Sequence, residues 1–263
     1  LITASLGSLL ALTALAATAQ AQDARGSNPS STPATSSASA AASPLAAQPD
    51  TNTTRLFFGP TGRALGAGEG YIGVYQILLP FVQLGVTDRV TLGGGTPLFF
   101  GGGSRHPFWV TPKVQVFRGA GAEVAAGVMH FFNVCDDGGG AGIAYGVATF
   151  GSPDASVTVG TGWAYSRFED QDGNAAVAMV GGEYRVGRRL KLITENYVYD
   201  GGGIVIAGVR FIGDHLSADF GLASPVGVGE LYAFPMVNFV WRFGRSGEPP
   251  APPAASRQPP AVP

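Results

Sequence analysis

The sequence predicts an all-β chain, a closed antiparallel up-and-down barrel of about twelve strands (roughly 10–12). Three observations carry that expectation. Between Gly70 and Phe243 the chain resolves into runs of about 8 to 12 residues rich in Val, Ile, Tyr, Phe and Gly, and no stretch keeps helical periodicity for three turns. The connections between these runs alternate in length, as a hairpin meander with two different ends requires. Gly supplies 40 of 263 residues while charged residues make up only 13 %, about twice and about half the usual shares. The glycines are spread through the apolar runs, where a sheet that closes on itself needs small inward side chains.

The expected strands are Tyr71–Leu79, Phe81–Thr87, Val90–Leu98, Trp109–Arg118, Glu123–Phe132, Ile143–Phe150, Ser156–Arg167, Ala175–Val186, Arg189–Tyr199, Ile204–Ile212, Leu216–Ala223 and Phe234–Phe243. Short turns fall at Asp88-Arg89, Gly119-Ala120-Gly121, Gly151 to Ala155, Gly187-Arg188 and Gly213-Asp214. Longer connections run from Phe99 to Phe108, Asn133 to Gly142, Phe168 to Asn174, Asp200 to Gly203 and Ser224 to Ala233. The first hairpin departs from the pattern, with only Pro80 between its strands, and the alternative reading of these two runs is one bent strand.

Successive side chains of a strand point to opposite faces, so each run splits into two sets. Val110, Pro112, Val114 and Val116 oppose Thr111, Lys113 and Gln115; Leu216, Ala218, Phe220 and Leu222 oppose Ser217, Asp219, Gly221 and Ala223. The last strand sets Val237, Phe239, Trp241 and Phe243 against Asn238 and Arg242. The same rule turns Glu183, Arg185, Lys191, Glu195 and Arg210 inward. An isolated buried charge is costly, whereas opposite charges that pair can be retained, so Lys113, Glu183, Arg185, Lys191, Glu195, Arg210, Asp219 and Arg242 are expected to form a lumen charge network. A water-soluble ligand-carrying barrel would reverse this polarity, which favours a transmembrane barrel.

The two ends read differently. Residues 1–21 hold no charge and carry an apolar run, Leu6 to Ala17, ending at Ala19-Gln20-Ala21, the h-region and cleavage site of a secretion signal. No Met or basic segment precedes Leu1, so the start is expected upstream. Residues 22–69 are expected to be a low-complexity disordered linker, because Gln22 to Thr54 is Ala, Ser, Thr and Pro with almost nothing to bury. Residues 244–263, with seven prolines after Arg245, read as a disordered tail. The lone Cys135 excludes an internal disulfide framework.

The closing segment Val237-Asn238-Phe239-Val240-Trp241-Arg242-Phe243 resembles the aromatic-ended last strand of small bacterial outer-membrane β-barrel proteins, and the likeness extends over about Gly70 to Phe243. The chain departs from that pattern by continuing for twenty residues after Phe243. The resemblance implies Sec-type export to the outer membrane, contact with membrane lipids and lipopolysaccharide, and recognition of Phe239, Trp241 and Phe243 by the barrel assembly machinery. The short turns and both tails are then expected in the periplasm.

Candidate chemistry is sparse. His215-Leu216-Ser217 is similar to the His-x-Ser arrangement of outer-membrane lipid A deacylases, but its short turn places it at the periplasmic end, away from the outer leaflet. His130 near Asp136 and Asp137 offers too few ligands for a metal. The clusters Gly93-Gly94-Gly95 and Gly101-Gly102-Gly103 lack phosphate-loop spacing. The loop acids Asp136, Asp137, Glu169, Asp170, Asp172 and Asp200 read as solvated. Phe99, Phe108, Trp109, Phe131, Phe132, Phe150, Trp163, Tyr165, Tyr197, Tyr199 and Trp241 are expected in interfacial aromatic girdles. A net charge of −2 without a basic run excludes nucleic acid as a partner. No cofactor, metal or catalytic activity is expected. The leading reading is a structural, interaction or narrow-pore barrel, with a small solute as partner if the pore is open. The alternatives are an outer-membrane lipid-modifying enzyme and a soluble periplasmic ligand-binding barrel.

Overall fold

A computed structural model describes residues 48–50, 52–98, 106–134, 139–168, 171–227 and 232–244. The strands are β1 Gly70–Tyr75, β2 Leu79–Gly85, β3 Val90–Gly95, β4 Phe108–Val110, β5 Lys113–Gly119, β6 Ala122–Phe132 and β7 Gly140–Ser152. They continue as β8 Ala155–Phe168, β9 Gln171–Gly187, β10 Leu190–Tyr199, β11 Gly202–Ile212, β12 Leu216–Val226 and β13 Phe234–Phe243. β4 and β5 pair with the same two neighbours, β3 and β6, and form one stave of the wall. The stave breaks at Thr111-Pro112, where proline has no N–H to give to the ladder. Twelve antiparallel staves result, each beside its sequence neighbour, and β13 closes the ring on β1 from Gly70↔Phe243 to Tyr75↔Asn238. The fold is a closed all-β barrel.

The first hairpin is resolved differently from its sequence expectation. β1 stops at Tyr75, and the turn lies at Gln76 and Ile77, which take φ of 50° and 65°. Pro80 sits in β2, opposite Val74, near the start of the strand, where a missing N–H is tolerated. A second irregularity falls between Gln115 and Phe117, where the register on β6 shifts and both Val116 and Phe117 emerge on the outside.

Away from that irregularity the wall alternates between outward and inward side chains. Ile72, Leu84, Leu92, Val114, Val157 and Leu192 lie exposed on the outer face, each next to a residue that points into the barrel. Soluble monomers rarely expose apolar surface on this scale, and a hydrocarbon surround is the medium that tolerates it. Phe117, Phe150, Tyr184, Phe211 and Phe243 mark the outer face near the short turns; Phe108 and Phe132, stacked at 4.7 Å, mark the other end. Trp109 and Tyr197, expected in such girdles, instead point inward. Trp109 shares the parity of Lys113, and it is buried with Leu65, Tyr71, Tyr75, Phe81 and Val240.

The interior is where the sequence expectation fails most clearly. The described part of the expected linker, from Gln48 to Glu69, enters the barrel from the short-turn end and turns back inside it. Asn52, Arg55, Leu56, Phe57 and Thr61 are all at most 2 % exposed. The correction has a physical basis: Arg55-Leu56-Phe57-Phe58-Gly59-Pro60 carries charge, apolar bulk and turn chemistry that the Ala/Ser/Thr tract before it lacks. The expected signal segment 1–21, residues 22–47 of the expected linker and residues 245–263 of the expected tail lie outside the described residues.

Candidate functional site: a self-plugged lumen with an apolar cup

The plug is a hairpin. Thr61 N donates to Thr54 O at 3.0 Å, Leu56 N donates to Gly59 O at 2.9 Å, and Arg55 bridges Pro60, leaving Phe57 and Phe58 at the apex. Asp50 shapes the entry by accepting from Asn52 N at 2.8 Å. Gly62 is required by proximity to the wall: its N–H donates to Thr149 Oγ1 at 2.9 Å, and a Cβ there would fall 2.0 Å from Glu123 O.

Near the short turns the plug is held by ions. Lys191 Nζ meets Asp50 Oδ2 at 2.5 Å and Glu183 Oε2 at 2.9 Å, and Arg63 Nη1 reaches the other oxygen of Glu183 at 2.6 Å. Arg63 Nε also donates to Glu123 Oε2 at 2.9 Å. Arg210 forks onto Asp219 at 2.6 and 3.1 Å, touches Asp50 at 3.4 Å, and donates to the plug carbonyls of Asn52 and Leu56 at 2.8 and 2.7 Å. Arg55 lies 3.8 Å from Asp219 and stacks over the rings of Tyr75 and Phe81 at 4.7 and 5.1 Å. Arg55, Arg63, Lys191 and Arg210 thus balance Asp50, Glu123, Glu183 and Asp219; the plug gives two of the four cations and one of the four acids, and the wall gives the rest. Pairing of this kind offsets the desolvation of each ion. Burial raises the pKa of Asp50, but Arg210 and Lys191 outweigh it and hold the carboxyl down at about 2.

Two of the expected lumen charges meet plug backbone rather than opposite charge. Lys113 Nζ donates to Thr54 O at 3.0 Å and Arg63 O at 2.6 Å. Glu195 accepts three apex N–H groups, from Phe57 at 2.7 Å, Phe58 at 3.0 Å and Gly59 at 3.0 Å, and the hydroxyl of Tyr197 at 2.6 Å. A carboxylate in such a nest of donors is satisfied without a cation. Asn238 Nδ2 adds a bond to Phe57 O at 3.2 Å.

The remaining expected residues lie nearer the rim. Arg185 pairs with Asp154 at 2.6 Å and donates to Gln48 O at 2.9 Å, and Arg242 pairs with Glu69 at 2.6 Å. Phe239, Trp241 and Phe243 face outward on β13, the strand that closes the ring. His215 is exposed and stacks on Trp241 at 5.8 Å, whereas Ser217 is buried, so the two do not form a catalytic pair. His130 bonds Tyr165 Oη at 2.9 Å. No metal-binding group of three acids, histidines or cysteines occurs among the described residues. The sequence reading missed Asp50, Arg55, Arg63 and Glu123; the first three sat in a tract read as linker.

Beyond the apex, at the long-connection end, the lumen opens into a cavity of about 360 Å³. Tyr197, Ile204, Ile206, Ala223, Phe234 and Met236 form its wall, and Phe58 of the plug forms its floor.

No family model matches the sequence, and no curated protein matches it. Eleven chains of solved structures match the fold. One is a loop L8 deletion mutant of OmpT, an outer membrane protein of Vibrio cholerae, at 14 % identity and a TM-score of 0.41, over 62 % of this chain and 63 % of that one. The match therefore spans less than two thirds of that chain, and the likeness concerns barrel architecture alone. The expectation that this chain is not an enzyme is set aside beside it, because barrels of one architecture host unrelated activities and likeness of fold assigns none.

Proposed function

We propose that the chain is an integral barrel of the bacterial outer membrane, of the interaction or narrow-pore type, whose lumen is held shut by its own N-terminal segment. The observation that carries this reading is the placement of Asp50 and residues 52–65 inside the wall, tied to it by the ion pairs of Asp50 with Lys191 and Arg210, of Arg63 with Glu183, and by the Glu195 nest. The apolar outer face and aromatic rims support the membrane setting. The short-turn end, where the plug enters, then faces the periplasm, and the cup faces outward. Fractionation of cells producing the full chain tests the placement. The protein is expected in the detergent-extracted outer-membrane fraction, with a gel mobility that changes on heating. Recovery as a soluble periplasmic protein contradicts it.

A further inference from the structure

We propose that the cup is a binding site for an uncharged hydrocarbon. Among the described residues, every polar side chain on its lining is already engaged within the protein. Tyr197 Oη donates to Glu195, Gln76 Nε2 donates to Pro235 O at 2.9 Å, Gln76 Oε1 accepts from Val237 N at 2.8 Å, and Ser224 Oγ donates to Pro225 O at 3.3 Å. The cup therefore offers shape and apolar contact but no free donor or acceptor for water or a polar ligand. An apolar cavity of about 360 Å³ falls in the size range of small-molecule sites, and one without polar partners hydrates poorly and favours an apolar guest. The wall is built from inward positions of β10 to β13, near the ends of β10, β11 and β12 at Tyr199, Gly202 and Val226 and the start of β13 at Phe234, on the far side of Phe58 from the point where the plug enters. Phe58 ties guest and plug together: its ring lines the cup while its N–H is held by Glu195.

This inference rests on the plug being seated, because Phe58 is the floor. The same chemistry can arrive as a free hydrocarbon or as the tail of an amphiphile, so two probes are needed. Ala223→Cys is made in a Cys135→Ser background of the full chain, reconstituted in lipid nanodiscs, and its alkylation by a water-soluble maleimide is timed with n-decane, with decanoate, or with neither. Asp200→Cys, exposed outside the cup, is the control. The proposal expects n-decane to slow alkylation of the Ala223→Cys thiol at least fivefold, saturably, with the control unaffected. Slowing by decanoate as well assigns amphiphile tails to the site; slowing by n-decane alone assigns free hydrocarbon. Rates that do not change, or that fall equally at the control, overturn it. Should Ala223→Cys not fold, Ile204→Cys reads the same cavity. Conductance of the same variants in a planar lipid bilayer reports the plug separately, so failure of the cup and failure of the plug are distinguishable.

Discussion

The carboxylate of Glu195, on the barrel wall, accepts the backbone N–H of Phe57, at the apex of the plug, at 2.7 Å. The contact joins residues 138 positions apart, and the same carboxylate holds Phe58 and Gly59. Removing it strands three backbone donors together, two of them buried. Glu195→Ala is expected to weaken plug seating by about 3 kcal/mol, roughly a hundredfold in the ratio of open to seated plug. Limited proteolysis of the folded barrel checks this, as faster cleavage within residues 48–66. Unchanged cleavage sinks the assignment of Glu195 as the apex anchor.

Arg210 is expected to be the costliest single ion to remove, since Asp219 and Asp50 both depend on it. Arg210→Met leaves buried carboxylates short of a partner and is expected to cost about 3–5 kcal/mol. Adding Asp219→Asn should recover a large part of that loss. A double-mutant cycle on urea unfolding measures the coupling; additive single effects contradict it.

Steric fit separates plug from wall. Gly62→Ala should prevent seating, because its Cβ would meet Glu123 O at 2.0 Å. Gly146→Ala, on the outer face with nothing within 4 Å of a Cβ, should change stability by no more than about 0.5 kcal/mol. Protease accessibility of the plug in the two variants decides the point: equal accessibility argues against a close-fitting plug.

Asp50 sets an acid limit. Its pKa in the folded protein is about 2, below the ordinary 3.8. A depressed carboxylate pKa contributes stability that is complete above the ordinary value and is lost as pH falls through the depressed one. Plug accessibility should therefore stay flat from pH 7 to about 4 and rise toward pH 2. Asp50→Asn should start more accessible at neutral pH and show less of that rise.

Much of the barrel is legible in the sequence because alternation is local. Ser217 and Asp219 against Phe220 and Leu222 announce two faces before any partner strand is known. The inward position of Lys191 or Arg210 follows from the same parity. What each charge meets does not. Glu195 bonds a segment 136 to 138 residues away, and no local pattern carries that separation. The plug is hidden for a related reason: Arg55 to Pro60 is too short for a periodic signal and follows a tract that cannot fold alone. Its legible trace is compositional, with Leu56, Phe57 and Phe58 beside Arg55 and Arg63 where a linker should carry little to bury. Pro80 and Pro112 mislead in another way. Proline marks a break in a ladder, but the sequence does not say whether the break is a turn, as expected at Pro80, or an interruption within a stave, as found at Pro112.

Conductance across a planar lipid bilayer tests the self-plugged lumen most directly. The full chain is compared with a chain lacking residues 48–66 that retains all thirteen strands and is shown by heat-modifiable mobility to be folded. The account predicts silence from the full chain and stepwise, ohmic current from the shortened one. Steady conductance by the full chain, or silence from the folded shortened chain, would contradict it.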